Sequence, residues 1–471
     1  LLGLITFLLV EVLFEAWVQV RLADRGGVDA EGNLAVRLPD WPKTLKNAVY
    51  LALLGLTAGK IFVDRSWREF LTRADLVLAG LVVVLAVAGF TGGSSTQLTA
   101  TAIYVYLRGA IVFYAWRAAD PSWRRIRAVF VVVGAIVAVN AVIAIGQMII
   151  GYDSFRALGW VNLSWARSNR AHALLDHPNH LGHLLSLTML GLLAWFVVRP
   201  VSWKWWAVFA GLALASSATQ SRESLIGFVL AALVIAALRS GGGPAVRNVA
   251  VALLLVIGFA LAQIAISPGN RAELQRRFAG VLNAFRIGSG EEGGNFCVEG
   301  NANCTTTSNK IPQREVRVLY YQQGLRLWTK RPLLGYGVGQ FGGIVATEHD
   351  PRWYADPRFG PGGFKPYGFN SQQVDSFWLH LLVETGVIGA LAYVTWQVLL
   401  VAPFVALAVR RRRAEKRAER APPGVPDGAL HPVAYWAPAA VVFGALIAFF
   451  AASLEDPIFP ALLFTVLGVG W

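Results

Sequence analysis

The sequence predicts an all-α polytopic membrane protein. Hydrophobic residues make up 55% of its 471 residues, and charged residues only 15%. Apolar runs of roughly 17–25 residues recur along the whole chain, and this is the length that a helix needs to cross a bilayer. The runs lack the two-residue alternation of membrane β-barrel strands, and only helices or closed barrels satisfy the backbone in lipid. The fold is therefore expected to be a bundle of helices.

Hydropathy predicts about twelve transmembrane helices. The sequence has no initiator Met and ends inside an apolar run, so it is expected to be trimmed at both ends. The first apolar run, 1–20, is interpreted as a retained first span. The predicted spans are 1–20, 45–63, 75–92, 98–116, 127–149, 180–197, 204–217, 222–238, 247–266, 387–409, 433–452 and 457–471.

The formal net charge of +14 would suggest nucleic-acid binding in a soluble protein. Here most Lys and Arg residues fall in alternate short connections, which orients a membrane protein with those connections in the cytoplasm. Both ends of the chain are then cytoplasmic, and nucleic acid is not an expected partner. The segments predicted on the outer side are 21–44, 151–179, 268–386 and 453–456.

The predicted spans divide the chain into three parts. Residues 1–267 hold helices one to nine, 268–386 form an extracytoplasmic cap, and 387–471 hold helices ten to twelve. A structureless loop as long as the cap would be unusual, so we expect it to fold over the bundle. Its predicted elements are helical stretches at Arg271–Phe285 and Arg314–Lys330 and an amphipathic re-entry helix, Asp375–Glu384, ended by Gly386.

The two cysteines, Cys297 and Cys304, both fall in this cap. An outer location is oxidising, which favours a disulfide between them. The alternative is a pair of free thiols.

Ionisable residues near the outer membrane boundary are the candidate site, because such groups are costly there and are usually retained for function. Arginine guanidiniums outside the membrane are suited to a phosphate or pyrophosphate, which they bind through charge-assisted hydrogen bonds. A nearby carboxylate could act as a base. The residues concerned are Arg170, His177, His180, Arg222, Arg317, Arg326 and Asp375.

Four segments resemble the O-antigen ligase and O-antigen polymerase family of bacterial membrane glycosyltransferases. Each segment alone is weak evidence, but their order and spacing over residues 170–389 make the set fairly specific. The segments are the stretch from Arg170 to Pro178-Asn179-His180-Leu-Gly, the turn Gln220-Ser-Arg222-Glu-Ser, Arg317 followed by Arg331-Pro-Leu-Leu-Gly-Tyr-Gly337, and Val374-Asp-Ser-Phe-Trp378-Leu with Glu384-Thr-Gly386-Val-Ile-Gly389.

The resemblance implies a GT-C-type fold and transfer of a glycan from an undecaprenyl-pyrophosphate-linked donor to a sugar hydroxyl outside the membrane. Asp375 would deprotonate the acceptor, while Arg170, Arg222 and Arg317 would hold the pyrophosphate. Arg222 and Arg317 are counted with Asp375 as catalytic. The residues assigned to substrate binding are Arg170, His177, Asn179, His180, Arg326 and Trp378.

One departure concerns the fourth segment, where ligases typically place His before Asn and this chain has Asp375-Ser376. This form resembles polymerase-type members. A carboxylate can replace imidazole as general base, since either needs only a lone pair within reach of the acceptor hydroxyl. The first hypothesis is therefore a polysaccharide polymerase, with a ligase or a protein O-oligosaccharyltransferase as the alternative.

Several of these residues also have structural interpretations. Asp375 could be an ordinary helix N-cap, Arg222 could pair within its own turn, and Arg326 could face solvent. Arg108 lies in the middle of a span and could pair with Glu11 or Glu15.

Four histidines, His172, His177, His180 and His183, invite a zinc interpretation. No thiolate lies near them and no carboxylate among their neighbours makes a convincing ligand, so no metal is expected. No cofactor is expected either.

The expected partners are the lipid-linked donor, a glycan or lipid-linked acceptor, membrane lipids and a chain-length regulator, and the expected location is the bacterial inner membrane with the site facing the periplasm. From a different class, a transporter or lipid flippase is less favoured, because the sequence has no internal repeat and its charges cluster outside rather than at the midplane.

Overall fold

The computed structural model describes residues 1–28, 34–239, 243–266, 316–359, 373–418 and 432–471. The cysteine pair, the predicted helix at Arg271–Phe285 and part of the cap lie outside these residues.

The described chain is built almost entirely of α-helices. The first ten are α1 (Leu2–Arg21), α2 (Trp41–Val63), α3 (Arg73–Thr91), α4 (Thr96–Ala119), α5 (Trp123–Ile150), α6 (Tyr152–Ala157), α7 (Ser164–Arg167), α8 (Pro178–Phe196), α9 (Trp203–Thr219) and α10 (Arg222–Arg239). The others are α11 (Gly243–Ile266), α12 (Val316–Lys330), α13 (Ile344–His349), α14 (Phe377–Ala418), α15 (Val433–Ile447) and α16 (Ile458–Gly470).

Seven of the described helices, α1 to α5, α11 and α14, are long and apolar enough to cross a membrane. The helices α15 and α16 are shorter and apolar. The prediction of a helical polytopic membrane protein is thus confirmed. The count of twelve spans stays a prediction, although α8, α9 and α10 do form helices over three of the predicted spans.

A short β-hairpin follows α1, which the sequence analysis did not predict. Asp24–Val28 (β1) pairs antiparallel with Leu34–Arg37 (β2), with an irregularity between Asp24 and Gly27. Two glycines in β1 lower its strand propensity, and this explains why the pattern was missed.

One large apolar core unites the bundle and includes residues from α1 to α5, α8 to α11 and α14 to α16. Glycines permit the closest approaches: a Cβ on Gly109 of α4 would lie 2.2 Å from the Phe464 ring of α16, and one on Gly227 of α10 would lie 2.9 Å from the Phe443 ring of α15. The helices α4 and α10 therefore pack tightly on α16 and α15, the two helices that flank the 450–457 turn.

The pairing suggested for Arg108 is wrong. Among the described residues, Glu15 forms its ion pair with Lys46 of α2, at 2.6 Å between Nζ and Oε2. Neither carboxylate oxygen of Glu11 has a hydrogen-bond partner in the described part of the chain. Lys46 is the better partner because a flexible lysine can extend from α2 along the neighbouring α1.

The described part of the predicted cap has a small apolar core of its own. It is formed by α12, the turns around α13 and the start of α14, with Tyr320, Phe341, Trp353, Phe359 and Val374 all buried. The predicted helix at Arg314–Lys330 corresponds to α12. This second core holds the segment before α14 in a defined place against α12.

The predicted end of the re-entry helix at Gly386 is confirmed. Gly386 has φ +64° in a non-helical backbone conformation that only glycine adopts readily, so α14 consists of two helices that meet there at a kink. The turn at residues 332–336 packs against this kink. Tyr336 N donates to Val383 O at 2.9 Å, and Val387 N donates to Pro332 O at 2.8 Å. The carbonyl of Val383, which the bend leaves without a helical partner, is satisfied by this turn.

We expect Gly386→Ala to destabilise the protein. The new Cβ would lie 2.2 Å from the carbonyl carbon of Leu333, and positive φ alone costs an alanine about 1 kcal/mol, so the total loss should exceed about 2 kcal/mol. Thermal unfolding in detergent micelles measures it. The control is Gly134→Ala in α5, where nothing lies within 4 Å; equal melting temperatures for the two variants would contradict the prediction.

Candidate functional site

Asp375 and Arg317 meet at the N-terminal end of α14. Arg317 Nη2 lies 3.4 Å from Asp375 Oδ2, and the two side chains keep 36% and 50% of their surface exposed. The hydroxyl of Tyr320, one turn along α12 from Arg317, donates to the main-chain oxygen of Asp375 at 3.3 Å. The third and fourth sequence segments are therefore in contact, and their two charged residues remain accessible to a ligand.

The N-cap of α14 is Ser376, not Asp375. Ser376 Oγ accepts from Leu379 N at 3.3 Å, which is the bond that an N-cap side chain makes to the third residue of a helix. The hydroxyls of Ser376 and Tyr321 lie 2.6 Å apart. The capping interpretation of Asp375 is thus wrong, and its carboxylate remains available for Arg317 or a substrate.

A buried ion pair fixes the backbone before Asp375. His380 and Glu455 are both wholly buried, with His380 Nδ1 2.5 Å from Glu455 Oε1. His380 Nε2 lies 2.6 Å from the carbonyl oxygen of Val374. Since both ring nitrogens face acceptors, His380 satisfies both only as an imidazolium that donates twice. Val374, the residue before Asp375, is thereby tied to the turn between α15 and α16.

The other oxygen of Glu455 and the carboxylate of Glu384 accept hydrogen bonds from main-chain amides of residues 339–344, which we call the cap turn. Glu455 Oε2 accepts from Ile344 N at 2.7 Å. Glu384, also buried, accepts from Gly339 N at 2.8 Å and from Phe341 N at 2.7 Å, and it accepts a further hydrogen bond from the hydroxyl of Tyr106 on α4. These carboxylates replace the hydration that the cap-turn amides lose on burial.

Arg170 joins the first two sequence segments. Its Nε donates to the carbonyl of Thr219 at the end of α9, at 3.0 Å, and its Nη2 donates to Asn179 Oδ1 in the first turn of α8, at 2.7 Å. The guanidinium also lies 5.2 Å from the ring centre of Trp165. Arg170 is therefore held in place against the turn that leads to Arg222.

The two predicted binding histidines line the start of α8. His177 is the N-cap of α8, with Nδ1 accepting from Asn179 N at 3.1 Å. His180 lies between two carboxylates, 2.6 Å from Asp176 Oδ1 and 3.4 Å from Asp456 Oδ2. Burial lowers the pKa of His177 well below its ordinary value, and the charges of His180 and Arg170 lower it further. His177 is therefore neutral at the start of α8.

Glu223 contacts a histidine of α8, and its charge also acts on Asp375. It is buried at the start of α10, next to exposed Arg222, and its Oε1 lies 3.1 Å from His183 Nε2. Burial raises the pKa of Asp375, the Arg317 guanidinium opposes this, and the charge of Glu223 raises it again. Asp375 thus has a weaker tendency to ionise than a free aspartate, which makes it a stronger base once ionised.

Two predicted residues lie apart from this cluster. Arg326 is exposed on α12, nine residues and therefore about half a turn of rotation from Arg317. Trp378 packs its indole edge-on to Phe377 and Tyr393 and donates to Ala445 O at 2.8 Å. Their assignment to substrate binding stays a prediction.

The sequence analysis gave the buried partners of the site no role in it, although His183 was considered as a zinc ligand. These residues are His183, Glu223, His380, Glu455 and Asp456. An ionisable residue within or beside an apolar run indicates a functional or structural role, because such a residue is costly there. This criterion would have identified His380 and Glu455. Among the residues that the structure describes, no group of three or more His, Cys, Asp and Glu side chains has an arrangement that could hold a metal ion.

Removing one partner of the buried pair should be strongly destabilising. Glu455→Gln leaves the His380 imidazolium without its counter-charge, and the expected loss of unfolding free energy is about 3–5 kcal/mol. Unfolding of Glu455→Gln, His380→Gln and the double variant gives the coupling between them. Asp64→Asn, which removes an exposed pair with Lys60, should cost less than about 1 kcal/mol; a Glu455→Gln loss as small as this would refute the role of the pair.

Two comparisons with known proteins bear on the site. Residues 207–394 match the Wzy_C family model, described as O-antigen ligase. The matched range holds Arg222, Arg317 and Asp375, and the Arg170 segment precedes it. A search of curated proteins found no match to this chain. The match confirms the resemblance to the O-antigen ligase and polymerase-like family over residues 207–394, which hold three of the four segments.

Proposed function

We propose that this membrane protein transfers a glycan from an undecaprenyl-pyrophosphate-linked donor to a sugar hydroxyl, as a polysaccharide polymerase. The accessible Asp375–Arg317 pair at the N-terminal end of α14, inside the matched domain, is the observation that carries the proposal. It places a base beside a cation, which a transfer from a phosphorylated leaving group requires.

The reaction is a single displacement. The acceptor hydroxyl gives its proton to an Asp375 carboxylate oxygen, its oxygen forms a bond to the anomeric carbon, and the bond from that carbon to the pyrophosphate oxygen breaks. Polyprenyl pyrophosphate leaves with the electron pair. Arg317 and Arg222 stabilise the charge that grows on the leaving group, and Arg170 orients the donor phosphates.

The finer features of the proposal follow from the predicted topology. Twelve spans with a GT-C-like arrangement would put Asp375, Arg317 and the start of α8 on the periplasmic side of the inner membrane. The donor would enter from the membrane, and the growing glycan would extend away from it. The arginines would supply the positive charge that a divalent metal supplies to the pyrophosphate in other transferases.

A ligase is the second candidate. The description of the matched family, O-antigen ligase, favours it, whereas Asp375 in place of histidine favours a polymerase. The two differ in the acceptor: a polymerase lengthens the glycan on a lipid carrier, and a ligase moves it to a different lipid or to a protein.

Asp375→Ala should reduce glycan transfer by about 100-fold or more, which is the range expected for loss of a general base. The assay uses purified protein, lipid-pyrophosphate-linked repeat units and EDTA, and it follows products on gels. A ladder of products from the unaltered protein indicates a polymerase, and one product on an added acceptor indicates a ligase.

The matched control is Glu348→Ala, which removes an exposed carboxylate elsewhere in the cap and should leave the rate unchanged. Asp375→His should retain part of the activity, because imidazole can also accept the proton. Full activity of Asp375→Ala, or no donor consumption by the unaltered protein, would refute the proposal.

The pH profile should report the electrostatics of Asp375. The rate should fall as the pH drops through the raised pKa of Asp375, because the protonated carboxyl cannot act as a base. Glu223→Gln removes a charge that raises this pKa, so the acid limb of kcat/KM should move to lower pH. Arg317→Gln should move it to higher pH, and shifts of the same sign in both variants would contradict the assignment.

A further inference from the structure

The turn between α15 and α16 carries two consecutive carboxylates that contact two different helices. Glu455 Oε1 lies 2.5 Å from Nδ1 of His380, in the first turn of α14. Asp456 Oδ2 lies 3.4 Å from Nε2 of His180, in the first turn of α8. The second pair is also mostly buried, because only 13% of the Asp456 side chain and 21% of the His180 side chain are exposed. One short turn thus links the N-terminal ends of α8 and α14.

The N-terminal end of α8 holds one arginine of the site in place. Asn179, which directly precedes His180, accepts a hydrogen bond from Arg170 Nη2 at 2.7 Å. Further along α8, His183 Nε2 lies 3.1 Å from Glu223 Oε1 at the start of α10. A displacement of the start of α8 would therefore change the position of the Arg170 guanidinium.

The N-terminal end of α14 holds the proposed base in place. His380 Nε2 lies 2.6 Å from the carbonyl oxygen of Val374, the residue before Asp375. Phe377 N also donates to Ala451 O at 3.2 Å, which gives α14 a second, main-chain contact with the segment between α15 and α16. Asp375 is therefore tied to the same turn that contacts the start of α8.

We propose that Asp456 and His180 are positioning residues, an inference that rests on the proposed function. Their contact fixes the Arg170 guanidinium at a set distance from the base, Asp375. Because Asp456 and Glu455 are consecutive, their α-carbons stay about 3.8 Å apart, so the two helix starts are held together. The transfer requires this, since the donor phosphates at Arg170 and the acceptor hydroxyl at Asp375 must be aligned for attack on the anomeric carbon.

The two oxygens of Asp456 have different contacts. Oδ1 accepts from Ile458 N at 2.8 Å and caps the start of α16, a role that a serine can also fill. Oδ2 is the oxygen that faces His180. The other ring nitrogen of His180, Nδ1, lies 2.6 Å from Asp176 Oδ1, but Asp176 belongs to the segment that leads into α8 and cannot join α8 to the turn. The proposal therefore concerns the Asp456 contact alone.

Asp456→Ser tests the proposal in the glycan-transfer assay, because serine keeps a capping oxygen but is too short to reach His180. KM for the lipid-linked donor should rise about tenfold, an effect between those of an exposed and a buried ion pair. The value of kcat should stay within about twofold, because donor binding weakens while Asp375 keeps its own contacts with the turn. In an Arg170→Gln background the same substitution should have no further effect, since the contact acts through Arg170.

The matched control is Asp176→Ser, which makes the same change at the other carboxylate beside His180, one whose side chain is 55% exposed. It should leave KM within about twofold. An unchanged KM in Asp456→Ser, an equal rise in Asp176→Ser, or a loss that adds to that of Arg170→Gln would overturn the inference. If Asp456→Ser does not fold, His180→Ala gives the same test from the α8 side. If the unaltered protein consumes no donor, the proposed function itself fails.

Discussion

The burial of charge beneath the cap is the constraint on which the site depends. Glu384, His380 and Glu455 are wholly removed from solvent, and an isolated charge in that environment would be prohibitively costly. Each is satisfied by main-chain groups: Glu384 by two cap-turn amides, Glu455 by the amide of Ile344, and His380 by the carbonyl of Val374. The cap, α14 and the α15–α16 turn must therefore assemble together.

This requirement explains the glycines of the third segment and of the turn that follows it. A Cβ on Gly343 would lie 2.7 Å from Glu455 Oε2, and one on Gly335 would lie 2.4 Å from the carbonyl carbon of Glu384. Larger residues would hold the cap-turn backbone too far from the carboxylates to donate to them. The recurrent glycines around Tyr336 and Gly386 thus reflect a close main-chain approach more than flexibility.

The sequence was most informative where one physical rule dominates. Long apolar runs predict membrane helices because lipid leaves the backbone no other choice, and α1 to α5 follow the prediction closely. The contact of Arg317 with Asp375 could be anticipated only through the resemblance, since 58 residues separate them. The predicted pairing of Arg108 was wrong because the position of a residue in an apolar run predicts its depth in the membrane but not the face of the helix on which it lies. The partners of His380 were unpredictable for the same reason: Glu455 lies 75 residues away.

Different residues position the backbone of the site and carry out the proposed chemistry. His380 and Glu455 touch no accessible surface, yet they fix Val374, so Asp375 is held on a backbone that has little freedom to move. Asp375 does not cap α14, because Ser376 is the N-cap of that helix. The carboxylate of Asp375 therefore needs no rearrangement before it accepts a proton. An aspartate reaches less far than a histidine, so a site built on it demands the more rigid backbone. The buried imidazolium one turn into α14 provides that rigidity, and it leaves the proton-accepting role to the residue at the surface.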